Sequence, residues 1–288
     1  MAKSSIPGCS PLTVNISSVL EAALQERCRV TGSTPDHVVQ EALSRLLEVE
    51  HHTLFQVSTA TALVQGVYQG CVTVGMIKRH GDFGLGTYDA LDGEGLMLDG
   101  HVWHAKADGS VVEASDSETA PFWVSAEFKA DRTAVLSSVT DWNDLCAQLD
   151  GLRRSPNLFA AIRLDGRFDR ITYRVACKAA AGTSLVEATS HQAEFGLDEI
   201  DGTLLGFWSP AYARNFNVPG YHLHLLSKDR RRGGHVLGIR GRNLSVQVMD
   251  ANNLAVALPQ SGAFLKADLS QDPTAALSKA EGAGAKST

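Results

Sequence analysis

No stretch of this sequence reaches about 18 consecutive apolar residues, the length a helix needs to cross a bilayer, so no membrane span is expected. The opening residues MAKSSIPGCSPLTVNISSVL carry one lysine but no unbroken apolar core, so no secretory signal is expected either, and the cytoplasm is the expected compartment. Cysteine is sparse and unpatterned. The five residues Cys9, Cys28, Cys71, Cys146 and Cys177 are odd in number and contain no C-x-x-C pair. That argues against a disulfide framework and a thiolate metal site, and leaves reduced, mostly packed thiols. Positive charge is also short: 26 Lys and Arg against 32 Asp and Glu give a net charge of -6 and a pI near 5.9. A generally nucleic-acid-binding surface needs clustered cations and is therefore not expected, although a local basic patch stays open. What remains is a chain of 288 residues, 44% hydrophobic and 20% charged, with enough apolar material for one large soluble domain or two modest ones.

Residues 1–50 differ in texture from the rest. The alternating run Leu12-Thr13-Val14-Asn15-Ile16 predicts a short strand, and helical spacing follows from Ser18 to Val30. After the break Gly32-Ser33-Thr34-Pro35 a second helix is expected to about Val49. Ser33 or Thr34 would cap it, and Val38, Val39, Ala42, Leu43, Leu46 and Leu47 would form its apolar face. About forty residues cannot bury such a face alone, so dimerisation or docking is expected of this segment. The β-α-α pattern weakly resembles a ribbon-helix-helix module, in which paired strands can read DNA. Here the strand offers Thr13 and Asn15 but no Arg or Lys, which favours a dimerisation or docking appendage over one that binds DNA.

From Leu54 onward, short apolar runs bounded by Gly, Asp and Asn predict strands at Gly70–Val74, Phe159–Leu164 and Ser245–Met249. Helical stretches are expected around Thr59 to Val67 and from Trp142 to about Leu152. The body is thus a mixed α/β (α+β), β-rich structure, and the tail from Gly282 is expected to fray.

The most informative stretch is Gly220-Tyr221-His222-Leu223-His224-Leu225-Leu226, followed by Gly233-Gly234-His235-Val236-Leu237. On a strand, period two sends His222 and His224 to one face, within reach of one ion; on a helix they would diverge. Gly233-Gly234 permits a tight return that brings His235 back on an adjacent strand. His-x-His alone is a weak signal, equally met by unrelated histidines. Three of the ten histidines, His222 to His235, fall within fourteen residues, which favours a metal site. Three imidazoles with open positions suit catalytic zinc, and other divalent transition metals such as iron, manganese and cobalt also accept imidazole.

A second cluster runs from His80 to Glu94. Gly84 and Gly86 begin a G-x-G pattern, but no third glycine or apolar helix completes a dinucleotide fingerprint. Beside Thr87 and Glu94 these glycines suggest either a closely packed turn lining a pocket or a hairpin with solvated acids.

From Leu54 to Glu281 the chain resembles acetolactate decarboxylases. The matching pieces are Leu54-Phe55-Gln56-Val57-Ser58-Thr59, the segment from Gly81-Asp82 to Gly93-Glu94, Pro121-Phe122, and Gly166-Arg167-Phe168 leading to Arg174. They continue with Gly202-Thr203-Leu204-Leu205-Gly206-Phe207, Val218-Pro219-Gly220-Tyr221-His222-Leu223-His224 and Gly233-Gly234-His235-Val236-Leu237. The resemblance implies two sheet-containing lobes, about 54–157 and 158–288. It also implies His222, His224 and His235 as zinc ligands, Glu94 and Glu281 as carboxylates at the metal, Arg174 as an active-site arginine and Thr87 as a pocket residue. One departure follows Arg174, where relatives usually carry a Pro, a Gln and a Pro-Tyr pair. This chain reads Val175-Ala176-Cys177-Lys178-Ala179-Ala180-Ala181-Gly182, which puts the local pocket shape in doubt.

The implied reaction is loss of CO2 from a small 2-hydroxy-3-oxo acid, 2-acetolactate, to give acetoin. Zinc would chelate the hydroxyl and ketone to stabilise an enediolate, and no organic cofactor is needed. Arg174 would orient the carboxylate, and Glu94, or alternatively Glu281, would deliver the proton. Two rivals are another His-ligated metalloenzyme and a ligand-sensing DNA-binding regulator with a decarboxylase-like receptor body. A homodimer is the expected assembly.

Overall fold

The structure is a computed structural model that describes residues 12–47, 52–180 and 182–282. The chain divides into two compact units, Met1–His51 and His52–Thr288. Residues 283–288, most of the tail expected to fray, lie outside the described residues.

The first unit contains helices α1 (Ser18–Thr31) and α2 (Pro35–Leu46). Ser17 caps α1 by accepting from the Leu20 amide at 3.3 Å, and the helix stops at Gly32, whose φ of 69° is the left-handed conformation glycine tolerates. Of the two candidate caps for α2, Thr34 is the one used, accepting from the His37 amide at 3.2 Å, with Pro35 in the first turn. The strand expected at Leu12–Ile16 is not formed. Alternation marks a strand only where a neighbour takes its backbone hydrogen bonds, and Leu12, Val14 and Ile16 stand exposed without one. Neither helix has a buried residue.

The second unit begins with β1 (Thr53–Val57), α3 (Ala60–Val64), β2 (Val72–Thr73), α4 (Val74–Ile77), β3 (Phe83–Thr87), β4 (Glu94–Leu98), β5 (His101–Ala105) and β6 (Val111–Glu113). It continues with β7 (Thr119–Ala120), β8 (Phe122–Ala126), β9 (Arg132–Val139), α5 (Trp142–Asp150), β10 (Phe159–Val175), α6 (Leu185–Thr189) and β11 (Ala193–Ser209). The last elements are β12 (Gly220–Ser227), β13 (Gly233–Ala251), β14 (Asn253–Ala257), α7 (Gly262–Lys266) and α8 (Thr274–Glu281).

A seven-stranded sheet runs β14-β1-β8-β3-β4-β5-β6, antiparallel except for the parallel β1–β14 pair. A five-stranded antiparallel sheet runs β10-β11-β12-β13-β9, and β10 also pairs with β13, closing four of its strands on themselves. Sheet membership does not follow the expected division near residue 157. The early strand β9 joins the five-stranded sheet, and the late strand β14 returns to the seven-stranded one. The main core is continuous, with residues of both sheets such as Leu96, Phe122, Leu205 and Leu225 in one cluster.

The strand expected over Gly70–Val74 is shorter, because the Thr73 side chain caps α4 by accepting from the Met76 amide at 3.3 Å and turns the chain. Gly84 and Gly86 are not turn residues; both lie inside β3. Their place is explained by close approach. A Cβ on Gly86, or on Gly95 of the neighbouring strand, would run into the ring of Trp123, a fully buried side chain of β8. The return from β12 to β13 is likewise made by Lys228–Arg232, held by Ser227 Oγ, which accepts from the amides of Arg231 (3.2 Å) and Arg232 (2.9 Å). Gly233 and Gly234 then open β13, paired with Leu226 and Leu225.

Candidate metal centre and active site

Strand periodicity positions the first three side chains. His222 and His224 lie two residues apart on β12, and the β12–β13 register sets His235 directly opposite His224. The three offer ligand nitrogens that all lie within 4.8 Å of one another, the one such group of His, Cys, Asp or Glu found among the described residues. The Nε2 atoms of His222 and His224 are 3.1 Å apart. Four further side chains come from other elements. Arg174, near the end of β10, is the register partner of His235. Glu94 opens β4, Thr87 closes β3 opposite it, and Glu281 ends α8.

The three histidines, Arg174, Glu94 and Glu281 lie together in a largely buried cluster. Glu281 Oε2 lies 3.5 Å from His235 Nδ1, 3.8 Å from His222 Nε2 and 3.3 Å from Arg174 Nη2. Glu94 Oε2 is 3.8 Å from His224 Nε2, while its other oxygen accepts from the Ala176 amide at 3.1 Å. His224, His235, Arg174, Glu94 and Thr87 are all buried. Residues 54–271 match the family model for alpha-acetolactate decarboxylase. The chain belongs to that family.

Relatives support the assignment over most of the length. The alpha-acetolactate decarboxylase of Methylococcus capsulatus is 40% identical over 233 residues, covering 81% of this chain and 90% of that protein. That of Methanosarcina mazei is 39% identical over 229 residues, covering 79% and 80%. The crystal structure of alpha-acetolactate decarboxylase from Bacillus subtilis strain 168 superposes with a TM-score of 0.78 at 33% identity, over 80% of this chain and 99% of that one. The family match starts at Leu54, leaving the first unit outside it. It ends before Glu281, whose place beside the histidines is given by the structure.

Within this family member, hydrogen bonds set which nitrogen of two of the rings faces inward. His224 Nδ1 donates to the Gly95 carbonyl at 3.2 Å, and His235 Nε2 donates to the Glu281 carbonyl at 3.1 Å. The lone pairs of His224 Nε2 and His235 Nδ1 are thereby left for the shared space. His222 Nδ1 and His235 Nδ1 are buried without a hydrogen-bond partner among the described residues. Burial is the largest influence on all three rings and lowers the pKa of each, most strongly for His224 and His235, with the Arg174 charge acting in the same direction. Neutral imidazoles with unshared lone pairs have the protonation state that metal binding requires. With neutral rings, the histidine–glutamate contacts are not ion pairs. The separation of His222 and His224 nitrogens also suits a tetrahedral ion with N–metal bonds of about 2.0–2.1 Å. The donor set fits a divalent transition metal.

Glu94 is held differently from an ordinary carboxyl. Burial raises its pKa to about 7, Arg174 opposes that rise, Glu281 adds to it, and the Ala176 amide opposes it. Arg174 is anchored on one side by Gln192, whose Oε1 accepts from Nη1 at 2.6 Å. Its Nε is buried and has no partner among the described residues. Thr87 donates its hydroxyl proton to the Gly93 carbonyl at 2.8 Å, so this side chain fixes the turn before Glu94. Sequence reasoning missed Gln192, the Gly95 carbonyl and the Ala176 amide. The first has no spacing signal, and the other two are backbone groups that any residue would supply. The divergent stretch after Arg174 thus keeps a defined role at Ala176 through its main chain.

Proposed function

We propose that this chain decarboxylates 2-acetolactate to acetoin and CO2 with a divalent metal, zinc in our reading, held by His222, His224 and His235. The observation that carries the reading is the convergence of three neutral imidazoles, one arginine and two carboxylates in one buried space of an acetolactate decarboxylase family member. When bound, the ion supplies Lewis-acid stabilisation to the substrate's hydroxyl and ketone oxygens, a contribution of several kcal/mol of order, and no organic cofactor is required.

The remaining work falls to the chain's own groups. Arg174 binds the substrate carboxylate through the free edge of its guanidinium, and Gln192 and Glu281 keep that plane fixed. The buried walls exclude water, which strengthens every charge interaction inside. As the carbon–carboxylate bond breaks, its electron pair passes into the adjacent ketone as an enediolate and CO2 leaves. Glu94, a carboxyl whose pKa of about 7 keeps a proton available near neutrality, delivers that proton to the carbon that lost CO2. Delivery from one face sets the handedness of acetoin. Glu281, tied to Arg174 and facing two histidines, acts as a carboxylate at the metal, and Thr87 supports the pocket.

We read residues 1–50 as an appendage that pairs two chains into a cytoplasmic homodimer; Leu12–Ile16 lacks the cations that DNA contact requires. Among the described residues no helix is long and apolar enough to cross a membrane. The activity is tested by incubating metal-quantified protein with racemic acetolactate and following CO2 and acetoin. Equal release of both supports the reading, and absence of turnover in the metal-loaded protein overturns it.

A further inference from the structure

Outside the ring of groups just described lies a buried histidine with no role in the reaction as written. His104 on β5 is 5% exposed and stacks on Tyr88 with ring centroids 3.8 Å apart. Its Nε2 faces the Asp92 carbonyl, which has no proton to give, so the ring donates there. Its Nδ1 lies 2.8 Å from Glu118 Oε2, and the other oxygen of Glu118 accepts from the Ser115 amide at 2.7 Å. Both partners are acceptors, so the ring holds both at once as the doubly protonated imidazolium, ion-paired with a carboxylate that is itself tied to the chain.

What it grips is the turn leading into Glu94. That turn is not one the backbone adopts readily, since Ala90 and Leu91 have φ of 61° and 55°, left-handed values unusual for residues with a Cβ. Gly93 follows at φ 90°, where a Cβ would approach His104 Nε2 and the Ala105 carbonyl. Two successive carbonyls are pinned, that of Asp92 by His104 and that of Gly93 by Thr87. The next residue is Glu94. A conformation this strained persists only where its surroundings over-determine it, and the His104 grip is one of those determinants.

We propose that His104, tethered by Glu118, is a positioning residue for Glu94: it clamps the Asp92 carbonyl and so fixes the turn from which the Glu94 carboxyl enters the site. The inference rests on the reading of Glu94 as the proton donor for its kinetic consequence, but its structural consequence is independent. Glu94 Oε1 accepts from the Ala176 amide, so that amide reports whether the carboxyl is in place. The exposed His101 on the same strand, paired with Glu113 of β6, serves as an internal control.

The test compares wild type, His104→Ala, Glu118→Ala and His101→Gln by hydrogen exchange and by steady-state kinetics. His104→Ala is expected to speed exchange of the Ala176 amide about tenfold or more while the amide of Ile162 in β10 keeps its protection. Its kcat is expected to fall about tenfold to a hundredfold with KM changed less than about threefold, and the enantiomeric excess of acetoin to drop, as a misplaced proton donor would cause. Glu118→Ala should move the same readouts in the same direction by less, and His101→Gln should leave them at wild-type values. Unchanged Ala176 protection in a cooperatively melting His104→Ala protein overturns the clamp. Should that variant fail to fold, Glu118→Ala decides alone, and wild-type exchange at Ala176 overturns it. If wild type makes no acetoin, the proposed activity fails while the exchange comparison still decides the clamp.

Discussion

Replacing Glu94 by Gln separates proton delivery from everything else the site does. The amide side chain is nearly isosteric, and its oxygen can still accept from the Ala176 amide, so the packing seen around Glu94 is kept. The three histidines are untouched and metal content should stay at the wild-type level. What is lost is the acidic proton. General acid catalysis by a positioned side chain contributes about 10²- to 10⁴-fold, so kcat is expected to fall by that range with little change in KM, because Arg174, the proposed carboxylate anchor, is untouched. Residual acetoin should be nearly racemic, since solvent then protonates from either side, and chiral chromatography reads this directly.

A second consequence of the same substitution appears in the metal-free protein and comes from linkage. Glu94 has its pKa raised from 4.5 to about 7 by burial, so folding favours the protonated form. Its contribution is fully present below about 4.5 and is lost as pH rises through about 7. A change of that size corresponds to about 3 kcal/mol, so Glu94→Gln should gain stability relative to wild type by that order between pH 4.5 and 8. Calorimetry of both proteins in chelator across that range measures the difference. Wild-type turnover and handedness in Glu94→Gln would refute the proton-delivery argument, and a pH-independent stability difference would refute the burial argument.

Further outcomes follow from the neighbouring groups. Arg174→Lys cannot reproduce the planar contacts with Gln192, Glu281 and substrate. Losing one charge-assisted hydrogen bond of about 1.5–3 kcal/mol should lower kcat/KM about tenfold to a hundredfold, with rates within about threefold of wild type counting against the role. Because burial holds the histidine pKa values below 6.5, proton competition for the metal should begin only below pH 6.5. Metal titrations should therefore show full occupancy at pH 6.5, and half-release above it would contradict the burial of the rings. Deleting residues 1–50 should lower the oligomeric state seen by light scattering while sparing most turnover; a folded, metallated truncation without activity would assign that unit a catalytic part.

The histidine group was readable in the sequence because its geometry is local. His222 and His224 need only period two, and His235 needs only a hairpin, so a dozen or so residues hold the whole pattern. Glu94, Arg174 and Glu281 lie on three other elements, and nothing near them in the chain announces that they meet. The roles of Arg174 and Glu281 came from the family resemblance alone, Glu94 was marked only as a neighbour of a glycine cluster, and the structure brings all three to the histidines through contacts 46 to 130 residues apart in sequence. Glycine was the most ambiguous signal. Gly84 and Gly86 read as a turn, whereas the space they leave is filled by Trp123, a residue of β8 whose ring no local pattern places there. The Gly233-Gly234 return failed for a related reason, since the Ser227 hydroxyl organises the turn one step earlier. The parallel pairing of β14 with β1 joins strands nearly 200 residues apart and is invisible to periodicity. At Leu12–Ile16 the alternation was present, but a strand is a property of two paired segments and not of one.

The central claim is that His222, His224 and His235 hold the metal on which turnover depends. His224→Ala, prepared beside wild type, decides it when bound metal per chain and acetoin formation are measured on the same samples. The account predicts about one divalent ion per wild-type chain and, in the variant, loss of most of that metal together with acetoin formation, while melting stays cooperative. Full metal occupancy or undiminished turnover in a folded His224→Ala protein would contradict it.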